Sequence, residues 1–201
     1  MTEQISLTGL RIGFALTGSH CTLKSAVVAL KDLRDAGADI LPIISENVKT
    51  SDTKFGLAGD WREQIIAASG SGVIIDSIVK AEPIGPQKLL DLLVIAPCSG
   101  NTLGKLANAV TDTPVLMAAK SQLRNSRPIV VAISTNDGLA ANAKNIGQLI
   151  NSKHIYFVPF GQDNPEAKAA SVIADMTQIV STVEKALQQQ QIQPLLISFN
   201  R

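Results

Sequence analysis

Three short runs of small, hydrogen-bonding residues carry the strongest chemical signal: Thr17-Gly18-Ser19, Ala96-Pro97-Cys98-Ser99-Gly100-Asn101-Thr102 and Ser134-Thr135-Asn136-Asp137-Gly138. Each follows an apolar segment. The first leads straight into a helix-period stretch. A helix N-terminus leaves N–H groups unpaired and partly positive, so an anion such as phosphate is held there. Gly18 permits close approach, and the Thr17 and Ser19 hydroxyls can donate to phosphate oxygens. The same three residues also suit a plain strand-to-helix cap. In the second run Ser99, Gly100, Asn101 and Thr102 offer hydroxyl, amide and main-chain groups, while Asn101 or Thr102 could equally be a helix N-cap. In the third, Ser134 and Thr135 repeat this polar character. Asn136 and Asp137 suit either substrate contacts or a turn closed by their own side chains. Three strand ends of one type are harder to explain by capping alone.

Other phosphate signatures are missing. Gly13 and Gly18 have the spacing of a P-loop, but Ser19 stands where its lysine belongs, and no GxGxxG follows a strand. His20 and Cys21 adjoin the first run. His20 can contact phosphate or move a proton, and Cys21 near a helix N-terminus can have an activated thiol. Both also suit a surface turn with a small packing residue. Trp61 and Phe55 flank a glycine-containing loop and either cover a flat ring or anchor the loop. His154 reads as structural. Cys21 and Cys98 have neither zinc-site nor CxxC spacing, so no metal is expected.

The elements that position these runs alternate. Strands are expected at 10–16, 39–44, 72–76, 92–96 (stopped by Pro97), 129–133 and 155–158. Helices are expected at 22–36 (ended by Gly37), 60–69 (capped by Asp60), 87–91, 101–110, 114–123, 139–150 and 172–190. Asn47 to Gly59 reads as a loop with a short helix. Repeating β-α units imply a three-layer, Rossmann-like α/β domain with a parallel sheet flanked by helices. The expected domain spans 1–201, with an apolar tail from about 191 (Pro194 to Phe199) that docks on its own domain or on another subunit.

The bulk composition agrees. Apolar residues make up 45% and aromatics 3%, so Val, Ile, Leu and Ala must fill a core of the kind parallel strands use. With 18 basic and 17 acidic residues the net charge is +1, which gives no case for nucleic acid or a membrane surface. Two cysteines, no secretory signal and no membrane-length apolar run point to a reducing cytoplasm.

The first two runs, with the second extended through Leu103-Gly104-Lys105-Leu106-Ala107-Asn108, resemble the flavoprotein superfamily of flavin-containing cysteine decarboxylases. Its members carry a GS-type turn and a P-x-S-A-N-T-x-x-K-x-A-x-G run; here Gly100 replaces the alanine and Asn108 the last glycine. The likeness covers roughly residues 9–187. Within the superfamily the chain is similar to the branch formed by the B subunits of dipicolinate synthases. That likeness rests on 81–86, 115–120, Arg127-Pro128, 133–137 and Pro159-Phe160-Gly161-Gln162-Asp163. The resemblance implies FMN as cofactor, held by Gly18, Ser19, Ser45, Ser99, Asn101 and Thr102. It also implies a partner A subunit carrying NADP, a homo-oligomer, and a small cyclic dicarboxylate substrate converted to dipicolinate during sporulation. Lys105, Lys120, Arg124 and Arg127 are the cations available for such a dianion.

Two alternatives accompany that reading. One is flavin-dependent decarboxylation of a cysteine-containing substrate. The superfamily's catalytic histidine is missing from Glu82–Gln87, and Thr135-Asn136 replaces its Met-Asn pair, which argues against it. The other is a non-catalytic scaffold for the A subunit.

Overall fold

The computed structural model describes residues 6–199. In chain order its elements are β1 (Arg11–Leu16), α1 (Leu23–Asp35), β2 (Asp39–Ile44), α2 (Glu46–Thr50), α3 (Ala58–Ser69), α4 (Ile78–Ala81), β3 (Leu92–Cys98), α5 (Gly100–Ala107), α6 (Pro114–Arg124), β4 (Ile129–Thr135), α7 (Ala143–Ile150), β5 (Ile155–Phe157), β6 (Phe160–Gly161), β7 (Val172–Ala174) and α8 (Ile179–Leu187). Five strands form a parallel sheet in the order β2-β1-β3-β4-β5. Its central strands β3 and β4 are buried almost end to end. Continuous apolar strands are what a sheet covered on both faces requires. One layer holds α1, α3 and α8; α4 to α7 form the other. Chain order reverses between β1 and β3, and open α/β sheets bind ligands at the carboxyl side of such a switch point.

The sheet is mixed rather than wholly parallel. The second half of β4 pairs antiparallel with β7, which pairs antiparallel with β6. This arm was not expected, because 172–190 has the pattern of one amphipathic helix. Asp175 interrupts it. Its carboxylate accepts from the Thr177 N–H at 3.1 Å and caps a 3-10 turn that starts a shorter helix, α8. The β-branched pair Val172-Ile173 is thereby freed to extend beside Ser134-Thr135.

Smaller departures have local causes. Asp60 does not cap α3; Asp52, six residues upstream of Ala58, accepts its N–H at 2.9 Å. Segment 72–76 makes a single bridge, Ile75 to Ile43, rather than a strand. Segment 87–91 is not helical. Lys88 takes a positive φ of 49°, and Asp91 is drawn onto β1, accepting the Arg11 N–H at 2.9 Å. β3 runs through Pro97 with a register shift between Ile95 and Cys98, as a residue without an N–H demands. The expected helix at 139–150 starts only at Ala143, after a turn held by Asp137.

Candidate functional site

The carboxyl ends of β1, β3 and β4 converge on one cavity of about 200 Å³. It is lined by Gly18, Ser19 and Cys21 from the β1 turn, Ser99 and Gly100 from the β3 turn, and Ser134 to Asn136 from β4. Asp163, Lys168, Ser171, Val172 and Ile173 from the arm close the opposite side.

Hydrogen bonds lock the three turns together. Buried Thr17 does not face the cavity. Its hydroxyl donates to the Pro97 carbonyl at 2.6 Å and accepts the Ser99 N–H at 2.9 Å, tying β1 to β3. Ser19 and Ser134 share a hydroxyl–hydroxyl bond of 2.8 Å, tying β1 to β4. The Thr22 hydroxyl lies 3.1 Å from Ser134 Oγ. Ser99, not Asn101 or Thr102, is the N-cap of α5, accepting the Thr102 N–H at 3.4 Å. Asn101 is exposed and Thr102 buried, and neither lines the cavity.

The β1 turn carries unpaired N–H donors. The N–H groups of Gly18, His20 and Cys21 find no acceptor among the described residues, whereas Ser19 donates to the Thr17 carbonyl at 2.8 Å. Ser45, at the end of β2, is buried and its hydroxyl also lacks a partner among the described residues. A Cβ on Gly18 would sit 2.9 Å from Asn47 Cβ, so glycine keeps this corner open. His20 stands beside the turn but outside the cavity lining. Burial holds its pKa below the ordinary histidine value, and its Nδ1 is unpartnered among the described residues.

Asp137 lies behind the cavity rather than in it. It accepts from the Thr135 hydroxyl at 2.5 Å and from Asn142 Nδ2 at 2.9 and 2.8 Å. The Thr135 bond leads in holding its carboxyl below the usual range; burial opposes this and the Asn142 bonds add to it. Asp137 is therefore a turn anchor and stays ionised. Asn136 is exposed at the rim, with its Oδ1 accepting from the Ser171 hydroxyl at 3.5 Å.

The remaining candidates lie elsewhere. Trp61 is buried under Gly56 and anchors its loop, and Phe55 is exposed beneath the Lys54 ammonium at 5.2 Å. Lys105 pairs with Asp112 at 2.6 Å and Arg127 with Asp91 at 3.2 Å. Lys120 and Arg124 edge a separate groove of about 330 Å³ whose other walls include Leu106, Val110, Leu116 and Leu123. Among the described residues, the cation that lines the switch-point cavity is Lys168. It was missed, with Asp163 and Ser171, because the segment preceded an expected helix. The available signal was a polar Gln162-Asp163 directly after an apolar strand, the same pattern as the three runs. Among the described residues, no group of histidines, cysteines and carboxylates could hold a metal, and no helix is long and apolar enough to cross a membrane.

Fold and site together define a flavoprotein-type α/β protein with a polar cavity at the switch point of its sheet. The chain belongs to the Flavoprotein family, whose model matches residues 1–188. It is 50% identical over 192 residues to the B subunit of dipicolinate synthase from Bacillus subtilis (strain 168), covering 96% of each chain. The crystal structure of the dipicolinate synthase B subunit from Bacillus halodurans C superposes with a TM-score of 0.89 at 48% identity, covering 96% of this chain and 99% of that one. An FMN-dependent cysteine decarboxylase, SpaF, shares the fold at a TM-score of 0.66 and 18% identity, covering 91% of this chain and 98% of that one.

Proposed function

We propose that this chain is the B subunit of a dipicolinate synthase, that it binds FMN, and that it works with an A subunit carrying NADP. The observation that carries this reading is 50% identity sustained over 96% of both chains. The substrate is a cyclic hydroxytetrahydrodipicolinate. Its conversion to dipicolinate releases one water and gives up two electrons and two protons. Bound flavin would supply a two-electron acceptor, with NADP on the A subunit as the final one. The setting is the cytoplasm of a sporulating bacterium's mother cell, and the assembly includes further copies of this chain.

The residues present fit the cofactor's phosphate. Free N–H groups at Gly18 and Cys21, the Ser19–Ser134 hydroxyl pair and the unpartnered Ser45 hydroxyl offer donors and no carboxylate. A phosphate at a helix N-terminus needs just such donors. Ser99 and Gly100 form the adjoining wall, and the β4 end with Ser134, Thr135 and Asn136 lines the space where the flavin ring would sit. The absent histidine at 82–87 leaves no counterpart of the decarboxylase acid–base group there.

Reconstitution with the A subunit tests this. Dipicolinate should form with FMN and NADP and fall to background without the B chain. Ser19→Ala should weaken FMN uptake about tenfold, the order expected on losing a hydrogen bond to a charged group. No dipicolinate from the reconstituted pair would overturn the reading.

A further inference from the structure

We propose that Lys168, on the arm between β6 and β7, anchors a carboxylate of the substrate, with Asp163 as its resting counter-ion. The inference rests on the dicarboxylate reading above and adds the residue that recognises it.

Two independent features point to the arm. Lys168 is the one cation lining the cavity among the described residues. Its ammonium lies 3.5 Å from Asp163 Oδ2, in a pair whose lysine side chain is 53% exposed. With the lysine half exposed and the Asp163 side chain 29% exposed, the pair is worth about 1 kcal/mol, so an incoming carboxylate exchanges for Asp163 at little cost. The second feature is the other oxygen of Asp163. Oδ1 is buried and makes no well-formed hydrogen bond among the described residues, the Ser171 hydroxyl and the Asp163 N–H being the donors nearest the carboxylate. A buried, unsatisfied acceptor costs about 1–3 kcal/mol and is retained where a ligand donor meets it. The arm thus presents a loosely held cation beside an incompletely satisfied acceptor. These match a carboxylate next to a hydroxyl, on one small ring.

The placement separates this anchor from the cofactor donors. Lys168 and Asp163 face the cavity from the arm, while Gly18, Ser19 and Cys21 face it from the β1 turn. The anionic phosphate has neutral N–H and hydroxyl donors on its own side, and the Asp163 carboxylate would repel it on the other.

The test compares wild-type, Lys168→Met and Lys168→Arg full-length chains loaded with FMN. Dipicolinate and pyridine-2-carboxylate are titrated by calorimetry, and FMN uptake by absorbance. Dipicolinate should bind about tenfold more weakly to K168M and recover most of its affinity in K168R, with FMN uptake equal in all three. With the A subunit, K168M should raise KM far more than it lowers kcat. Equal dipicolinate affinity in K168M and wild type, no dipicolinate binding by wild type, or weakened FMN uptake in K168M would each overturn the anchor. If the binding pattern holds while the reconstituted pair makes no dipicolinate, the synthase reading fails and the anchor stands.

Discussion

Cys21 and Cys98 show how far position governs chemistry in a single residue type. Cys98 ends β3 fully inside the core, and desolvation pushes its thiol up to about 12. It stays protonated at any working pH and is a packing residue, since the thiolate is the reactive species. Cys21 is exposed and lines the cavity, with Ser19 Oγ 4.0 Å away. A disulfide reagent at pH 7 should therefore titrate one thiol in the native chain and two after unfolding. FMN should protect the single reactive one. Two fast thiols in the native state would contradict the burial of Cys98. At this scale the sequence was informative about residue type and silent about partners. Gly18, Ser19, Ser99 and Ser134 could be picked out as small polar residues after apolar runs. The bond between Thr17 and Pro97 joins residues 80 apart, and no local pattern encodes it.

At the scale of elements, the start of α5 is fitted against the turn that follows β4. Gly100 begins α5 and faces that turn. A Cβ there would overlap Thr135 Oγ1 and lie 2.8 Å from both Asn142 Nδ2 and Asp137 Oδ1. The glycine and the Asp137–Asn142 network are parts of one packing solution, which accounts for glycine where the superfamily motif has alanine. Gly100→Ala gains up to about 1 kcal/mol in helix propensity. Overpacking against three hydrogen-bonded side chains costs about 1–3 kcal/mol. The variant should be destabilised on balance, read as a lower denaturant midpoint with unchanged slope. It should also lose FMN affinity, because the wall formed by Ser99 moves with it. A midpoint equal to wild type would show that the turn gives way freely. The parallel framework was readable because β1, β3 and β4 are continuous apolar runs separated by helix-period segments. The β6–β7 arm was not. Its strands have two and three residues, and Val172 and Ile173 alternate with helix positions equally well until Asp175 is known to cap.

For the whole molecule, the arm that carries Lys168 is buttressed by the chain's own end. The tail lies alongside β6: the Phe160 N–H donates to the Leu195 carbonyl and the Ile197 N–H to the Phe160 carbonyl, each at 3.0 Å. Of the two dockings open from sequence, the structure shows the one on its own domain, while Leu196 stays 70% exposed on the outer side. Gly161 makes this possible, since a Cβ there would overlap the Ile197 carbonyl oxygen. The tail lies beyond residue 188, where the family match ends, yet it covers the edge of a strand that leads directly into Gln162 and Asp163. The two backbone bonds contribute about 1–3 kcal/mol together, so a steric conflict of this size suffices to release the segment. Gly161→Ala should leave the parallel core intact and speed hydrogen exchange at Ile197. It should also open residues 192–199 to protease and raise KM through a looser Lys168 arm. Retained exchange protection at Ile197 in that variant would mean that the tail is held by contacts other than the strand pairing with β6.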